Sequence, residues 1–200
     1  DKVKCIFFGT AAEYGKILPE MCPLKEDSFS NPISAYGKSK ARQTKKAIEW
    51  SSNKRKLIVL RPFSILGERM PLTSAFGKFI AQIKSEDGSG LLKSGNLNVY
   101  RDYIDVNDLI DIMWKLINNS SSYGHVYNIC QGKPVLLLNM VKYLLLKCNS
   151  DLKISNFYEK RIENDMSVIY GDNGKLKKII GDFDFLDWKL SIDRILENLK

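Results

Sequence analysis

Apolar and polar positions along the 200-residue chain switch between two periods, and the switching predicts strands separated by helices. Mainly apolar runs at 3–8 and 56–61 have the length of buried strands, and Pro62 ends the second run. Between them, the spacing over 35–51 is helical. Strands that alternate with helices favour a parallel sheet, so we predict an α/β fold.

The same patterns predict the elements in the rest of the chain. Amphipathic helices are expected from about residue 71 to 83, over 105–118 and over 136–146, because apolar positions recur there at intervals of three and four. A short strand near 154–157, a loop and a final helix at 191–199 complete the prediction. No internal repeat is visible.

Tyr36 and Lys40 are four residues apart near the start of the predicted helix 35–51, which a Pro-containing loop precedes. Residues at this spacing are neighbours on one helix face. A fixed cation favours the phenolate form of a tyrosine, so the pair can exchange a proton with a substrate oxygen. Such pairs are common on helices. Thr10, at the end of the first predicted strand, turns the interpretation towards catalysis because its hydroxyl can hold the same oxygen.

Together with four later segments, at 60–67, 95–108, 126–132 and 169–176, these motifs resemble those of one family, in the same order. The family is the extended short-chain dehydrogenase/reductases, the NAD-dependent epimerases and dehydratases of nucleotide sugars. The resemblance implies the C-terminal part of a Rossmann-like, doubly wound parallel sheet with a small αβ substrate lobe. By this resemblance, residues 68–100 and 136–190 would form most of that lobe.

The resemblance also implies roles for individual residues. Catalysis would use Thr10, Tyr36 and Lys40. The cofactor, NADP or NAD, would contact Tyr36, Lys40, Phe63 and Ile65. The nucleotide-sugar substrate would contact Ser64, Asn96, Leu97, Arg101 and Arg161. No metal is implied.

Several of these assignments have alternatives. Phe63 and Ile65 are also plausible core residues, and Arg101 could pair with Asp102 or Asp105. At position 64 the family often has Asn, and Ser64 has a shorter reach. Arg161 is offset from the family's usual spacing. These roles therefore depend on the tertiary structure.

A Gly-rich turn that would hold the cofactor pyrophosphate is absent from the sequence, which opens on the strand corresponding to the family's fifth. We therefore expect about a hundred preceding residues in the complete enzyme, four βα units, and expect the 200-residue chain alone to be inactive. An inactive, naturally truncated remnant is the alternative.

The reaction type depends on the residues between Thr10 and Tyr14. The family's dehydratases carry an acid two positions before the Tyr, where this chain has Ala12 after Ala11, and Glu13 would face away if the segment stays extended. Within the family, the motifs most resemble reductases of GDP-4-keto-6-deoxymannose. We predict reduction of the C4 ketone of a GDP-4-keto-6-deoxyhexose. A 4-epimerase of nucleotide sugars and an enzyme for a non-nucleotide substrate stay as alternatives.

Composition adds limits on location and partners. The net charge is +8, but the lysines are dispersed without a basic run, so we expect a small anionic ligand and no nucleic acid. Cys5, Cys22, Cys130 and Cys148 lack metal-ligand spacing. No run reaches the ~18 apolar residues of a membrane span and no signal peptide is visible. We expect a cytoplasmic protein without membrane contact, and a homodimer in the full-length enzyme.

Overall fold

The computed structural model describes residues 3–52, 55–85, 90–156 and 166–198. Within them the strands are β1 (Lys4–Phe8), β2 (Lys56–Pro62), β3 (Ser64–Leu66), β4 (Leu91–Ser94), β5 (Tyr100–Asp105), β6 (Val126–Ile129), β7 (Pro134–Leu136), β8 (Lys153–Asn156) and β9 (Val168–Ile169). The α-helices are α1 (Ala35–Ser51), α2 (Gly77–Ser85), α3 (Val106–Ile117), α4 (Leu137–Lys147), α5 (Gly174–Ile180) and α6 (Trp188–Glu197). Short 3-10 helices lie at Ala11–Glu13, Pro19–Met21 and Ser120–Ser122.

The main sheet has the order β1-β2-β6, and both pairings are parallel. Cys5 pairs with Leu57 and Phe8 with Leu60, which confirms that the two apolar runs predicted as strands are neighbours. Helix α1 connects β1 to β2, as a parallel pair requires. The predicted α/β class with a parallel sheet is therefore confirmed.

Alternation along β2 separates the two faces of this sheet. Ile58 and Leu60 pack with apolar residues of α3 and α5. Arg61 points to the opposite face, because successive strand residues face opposite sides of a sheet. There it donates to the buried carboxylate of Glu13, which also accepts from the hydroxyl of Thr44 on α1. Helices therefore cover both faces, as in a doubly wound fold.

A second apolar core lies outside this sheet and draws on α2, α4 and α6. Most of its buried residues come from the predicted lobe ranges, although the boundaries of that lobe stay a prediction. The buried members are Leu66, Phe76, Phe79, Ile80, Ile83, Leu92, Leu97, Tyr103, Met140, Val141, Leu144, Ile192 and Ile195. Smaller strand pairings lie outside the main sheet: β4 runs parallel to β8, and β5 contacts β3, β7 and β9.

Some predicted elements were wrong or shifted. Residues 174–180, predicted as loop, form α5, a helix too short to show clear periodicity. The last helix begins at Trp188, three residues early, because the Asp187 side chain caps it by accepting from Lys189 N. Residues 11–13 are not extended but form a 3-10 turn. Phe157 and Arg161 lie outside the described residues.

Across the described ranges, no helix has the length and apolar character needed to cross a membrane.

Candidate active site

The site begins where β1 ends. Thr10 is the N-cap of the 3-10 turn Ala11–Glu13, and its side-chain oxygen accepts from Ala12 N at 3.3 Å. Its backbone N–H donates to the Glu13 carboxylate at 3.0 Å. This capping box pins the Thr10 hydroxyl at the carboxyl end of β1, the edge at which open α/β sheets bind ligands.

The first turn of α1 is seated against that 3-10 turn. Ser34 caps α1 by accepting from Gly37 N at 2.9 Å. A Cβ built on Gly37 would lie 2.5 Å from the carbonyl oxygen of Ala12, so glycine allows an approach that a side chain would block. Tyr36, 58% exposed, therefore lies in a helix turn that abuts the Thr10 segment.

Lys40 is held at the same end of β1. Its ammonium donates to the Phe8 carbonyl oxygen at 2.9 Å and lies 5.3 Å from the centre of the Phe7 ring. The carbonyl fixes the cation one turn beyond Tyr36. The predicted contact of Lys40 with a cofactor ribose stays a prediction.

A cavity of about 250 Å³ opens next to Thr10. Four of the predicted residues, Thr10, Phe63, Ser64 and Arg101, line it together, although they come from three separate stretches of the chain. The lining is completed by Ala11, Ala12, Gly15, Ile17, Pro62, Asp102, Met166 and Ile169.

Other predicted ligand residues do not line this cavity. Ile65 is exposed on β3, and Leu97 is buried in the second apolar core. Asn96 accepts from Asn98 N at 2.9 Å. Arg101, which does line the cavity, donates from Nη1 to the carbonyl of Tyr100 at 2.8 Å. The roles of these residues towards a ligand stay predictions.

Asp102 is a cavity residue that sequence reasoning considered only as a partner for Arg101. Its buried carboxylate accepts from the backbone N–H groups of Gln131 (2.8 Å), Gly132 (2.9 Å) and Gly171 (3.3 Å). Burial raises its pKa to about 6, against the opposing effect of these bonds. Asp102 thus ties β5 to the two loops that follow β6 and β9.

A buried ion pair joins Glu13 and Arg61, with Arg61 Nε 2.9 Å from Glu13 Oε2. The expectation of an extended segment was wrong, because Ala11–Glu13 is a 3-10 turn. The Glu13 side chain is nevertheless absent from the cavity lining, as expected, and is fully buried in the ion pair. An arginine inside a buried strand was the available clue, because such a charge needs an acidic partner.

Tyr14, next in sequence, is excluded from proton transfer by its surroundings. Its hydroxyl donates to Asn128 Oδ1 at 2.6 Å, and burial raises its pKa to about 12. The Arg61 guanidinium lies 5.0 Å from its ring. Asn128 in turn donates to the Leu24 carbonyl at 2.8 Å, so this network is structural.

Across the described residues, no group of three His, Cys, Asp or Glu side chains has the arrangement of a metal site.

The motifs of the NAD dependent epimerase/dehydratase family match residues 1–130. The chain belongs to this family. Among its relatives, GDP-6-deoxy-D-mannose reductase from Pseudomonas aeruginosa is 22% identical over 198 residues, covering 96% of this chain and 64% of that protein. GDP-6-deoxy-D-talose 4-dehydrogenase from Aggregatibacter actinomycetemcomitans is 26% identical, covering 98% of this chain and 65% of that protein.

Epimerases of the family match as well. UDP-arabinose 4-epimerase 1 from Arabidopsis thaliana is 25% identical, covering 98% of this chain and 49% of that protein. Among solved structures, RMD from P. aeruginosa complexed with NADPH superposes with a TM-score of 0.87 at 21% identity, covering 96% of this chain and 65% of that one. The superposition confirms the Rossmann-like fold of the family. The chain spans at most about two thirds of the length of these relatives.

Proposed function

We propose that the protein containing this chain is an NAD(P)-dependent nucleotide-sugar reductase that reduces the C4 ketone of a GDP-4-keto-6-deoxyhexose. One observation carries the proposal: Thr10, Phe63, Ser64 and Arg101 line a single cavity at the carboxyl end of β1 and β2. Tyr36 is in the helix turn packed on the same segment. A hydroxyl and a cation from distant parts of the chain thus line one cavity, Tyr36 lies on the adjoining helix turn, and we propose that a ketone reacts there.

The lining suits the nicotinamide end of a dinucleotide. A volume of about 250 Å³ is near the low end of the roughly 300–1,000 Å³ typical of small-molecule pockets, so it matches one ring and its neighbour rather than a whole dinucleotide. Phe63 offers an apolar ring and Thr10 a hydroxyl. RMD, similar in fold, was solved with NADPH. When bound, the reduced nicotinamide supplies a hydride to the carbonyl carbon.

The chain's own residues place the ketone and supply the proton. Thr10 donates a hydrogen bond to the ketone oxygen and orients it. Tyr36 donates its phenolic proton to that oxygen, so a substrate O–H bond forms as the tyrosine O–H bond breaks. Lys40, fixed by the Phe8 carbonyl, stabilises the resulting phenolate and binds the ribose of the cofactor. Phe63 supports the nicotinamide, whereas the predicted cofactor contact of Ile65 lies outside the cavity lining.

Arg101 is proposed to bind the nucleotide diphosphate. Arg101 lines the cavity together with Ser64, and Arg is suited to bidentate phosphate recognition. Asn96 and Arg161 complete the proposed substrate contacts, and the burial of Leu97 in the second apolar core counts against its predicted contact. The GDP nucleotide and the 6-deoxy sugar are supported by the names of the relatives from P. aeruginosa and A. actinomycetemcomitans.

Dehydration is disfavoured by the same geometry. Ala11 and Ala12, which line the cavity, have no proton to exchange. Glu13, the nearest acid in the sequence, is fully buried and is already paired with Arg61. Asp102, the acid among the described residues that line the cavity, already accepts from the backbone N–H groups of Gln131, Gly132 and Gly171. We therefore propose that the cavity does not supply the additional acid and base that elimination of water from a sugar requires.

A 4-epimerase is the second candidate, and the plant UDP-arabinose 4-epimerases among the relatives favour it. The same Tyr36, Lys40 and Thr10 would then act in both directions through a transient ketone. The difference is measurable, because epimerisation returns the cofactor to its starting redox state whereas reduction consumes NADPH.

In the deciding experiment, the complete protein encoded by the gene is incubated with NADPH or NADH and a panel of nucleotide sugars. Loss of NADPH absorbance with a GDP-4-keto-6-deoxyhexose, and a product two hydrogens heavier by mass spectrometry, supports the reductase. Interconversion of UDP-pentoses or UDP-hexoses without net cofactor loss supports the epimerase instead. No turnover and no thermal shift with GDP, UDP or dTDP ligands would contradict both and favour the inactive remnant or a non-nucleotide substrate.

We also propose a homodimer formed through α1, the helix that carries Tyr36. Its exposed side carries Lys38, Arg42, Lys45 and Lys46. A two-fold symmetric contact would bring these like charges together, so salt should strengthen the dimer by screening them. Light scattering at low and high salt tests this, and a monomer under both conditions would contradict it.

A further inference from the structure

Glu13 makes hydrogen bonds with three separate elements around the candidate site. Oε1 accepts from the Thr10 N–H at 3.0 Å and from the Thr44 hydroxyl at 2.9 Å, and Oε2 accepts from Arg61 Nε at 2.9 Å. The carboxylate is 0% exposed. It therefore cannot exchange protons with a ligand, and every one of these partners belongs to the chain itself.

Each of the three elements carries a residue of the candidate site. The end of β1 carries Thr10. Thr44 is one turn after Lys40 on α1, the helix that also carries Tyr36. Arg61 is immediately followed by Pro62 and Phe63, which line the cavity. One carboxylate thus sets the relative positions of the ketone-binding hydroxyl, the proton-transfer helix and the cofactor-facing strand.

The surrounding residues are built to accept this carboxylate. A Cβ on Gly9 would collide with Glu13 Oε1 and lie 3.1 Å from Thr44 Oγ1, so glycine at this position leaves the space the carboxylate occupies. A buried ion pair contributes little net stability, because desolvation offsets much of the attraction between its charges. The arrangement is therefore better explained by geometry than by stability.

We infer that Glu13 is a positioning residue, which holds Thr10 and the first turns of α1 in the alignment that proton transfer to the substrate needs. The inference rests on the proposed function. It assigns Glu13 no contact with substrate or cofactor. We call Glu13 and its hydrogen bonds to Thr10, Thr44 and Arg61 the Glu13 clamp. Misplacement of reacting groups by about 1 Å can lower a rate by about 100-fold, so loosening this clamp should act mainly on turnover.

Two variants test the clamp in the protein as encoded. Thr44→Val removes only the hydroxyl that links α1 and keeps the side-chain shape and the ion pair. Glu13→Gln keeps the oxygen that faces Thr10 but removes the charge that faces Arg61. The matched control is Asp193→Asn, which weakens an ion pair with Lys147 (3.0 Å) and a hydrogen bond from Tyr143 (3.0 Å) away from the cavity.

Both clamp variants should lower kcat by roughly 10- to 100-fold with KM changed by no more than about twofold. The control should lower the melting temperature without changing kcat. A clamp variant with normal kcat, or one whose loss follows KM or the melting temperature, overturns the inference. If Glu13→Gln does not fold, Thr44→Val decides alone.

Hydrogen exchange gives a readout that does not depend on activity. In both clamp variants, exchange should accelerate together in the segments 9–15 and 34–40, and in Asp193→Asn it should not. Acceleration confined to one segment, or to neither, overturns the inference. If the wild-type protein proves to have no reductase or epimerase activity, the proposed function fails while this measurement still decides whether Glu13 joins the two segments.

Discussion

Gly37 and the carbonyl oxygen of Ala12 are so close that a Cβ at residue 37 would lie only 2.5 Å from that oxygen. The contact seats the helix that carries Tyr36 and Lys40 directly on the turn that carries Thr10. The distance between the Tyr36 and Thr10 segments therefore depends on the absence of a methyl group at residue 37.

Gly37→Ala should destabilise the protein and lower its turnover. Helix propensity alone predicts a gain of up to about 1 kcal/mol for Ala over Gly. The collision with the Ala12 carbonyl opposes this, and overpacking typically costs about 1–3 kcal/mol. Urea unfolding measures the change in free energy. Gly95→Ala is the matched control, since a Cβ there meets nothing within 4 Å. A Gly37→Ala variant as stable and active as wild type would contradict the seating of α1.

Tyr36→Phe should lower kcat by roughly 10²–10⁴-fold, the usual contribution of general acid catalysis. The side chain is 58% exposed, so losing the hydroxyl should leave the fold and the melting temperature unchanged. Tyr143→Phe removes a hydroxyl that donates to Asp193 and does not line the cavity, and it serves as the control. Near-normal turnover of the Phe variant, measured by NADPH oxidation, would remove Tyr36 from the mechanism.

Arg101→Ala should weaken the binding of the nucleotide sugar by about 2–5 kcal/mol, the range for truncating one partner of a buried charge pair. Arg101 lines the cavity, whereas Arg42, on the outer side of α1, does not and provides the control. Isothermal titration calorimetry with GDP measures both. Equal affinities for wild type and Arg101→Ala would leave Arg101 with a structural role only.

Asp102 should make the stability of the protein fall as pH rises from about 4 to about 6. Burial raises its pKa from 3.8 to about 6, so the folded state holds the proton more tightly than the unfolded state. The resulting stabilisation is complete below pH ~4 and is lost as pH passes ~6, and two pKa units correspond to about 3 kcal/mol.

Asp102→Asn, which cannot ionise, should abolish this contribution. The free energy of unfolding of the variant minus that of wild type should therefore increase as pH rises from about 4 to about 6. A pH-independent loss of stability from its altered hydrogen bonds adds to this difference. Denaturant unfolding at several pH values measures the difference. Asp151→Asn, at an exposed position, controls for the loss of one carboxylate, and a pH-independent difference for Asp102→Asn would contradict the prediction.

Local patterns in the sequence were enough to predict the elements that have regular periodicity. The strand runs that became β1 and β2, the helix 35–51 and the amphipathic helix at 105–118 follow from spacing, because burying one face of each element imposes that spacing. Short elements such as α5 contain too few residues to show it.

The motifs around Thr10, Tyr36 and Lys40 also predicted the family, because each motif is a run of residues that can be read along the chain. Only the tertiary structure decided which residues share the cavity. Arg101 meets Thr10 and Ser64 there, whereas Leu97 is buried in a separate core. It also decided the partners of Glu13 and Asp102, since a buried charge is satisfied by whatever donors the fold brings to it, and no spacing along the chain encodes the contact of Glu13 with Arg61, 48 residues away.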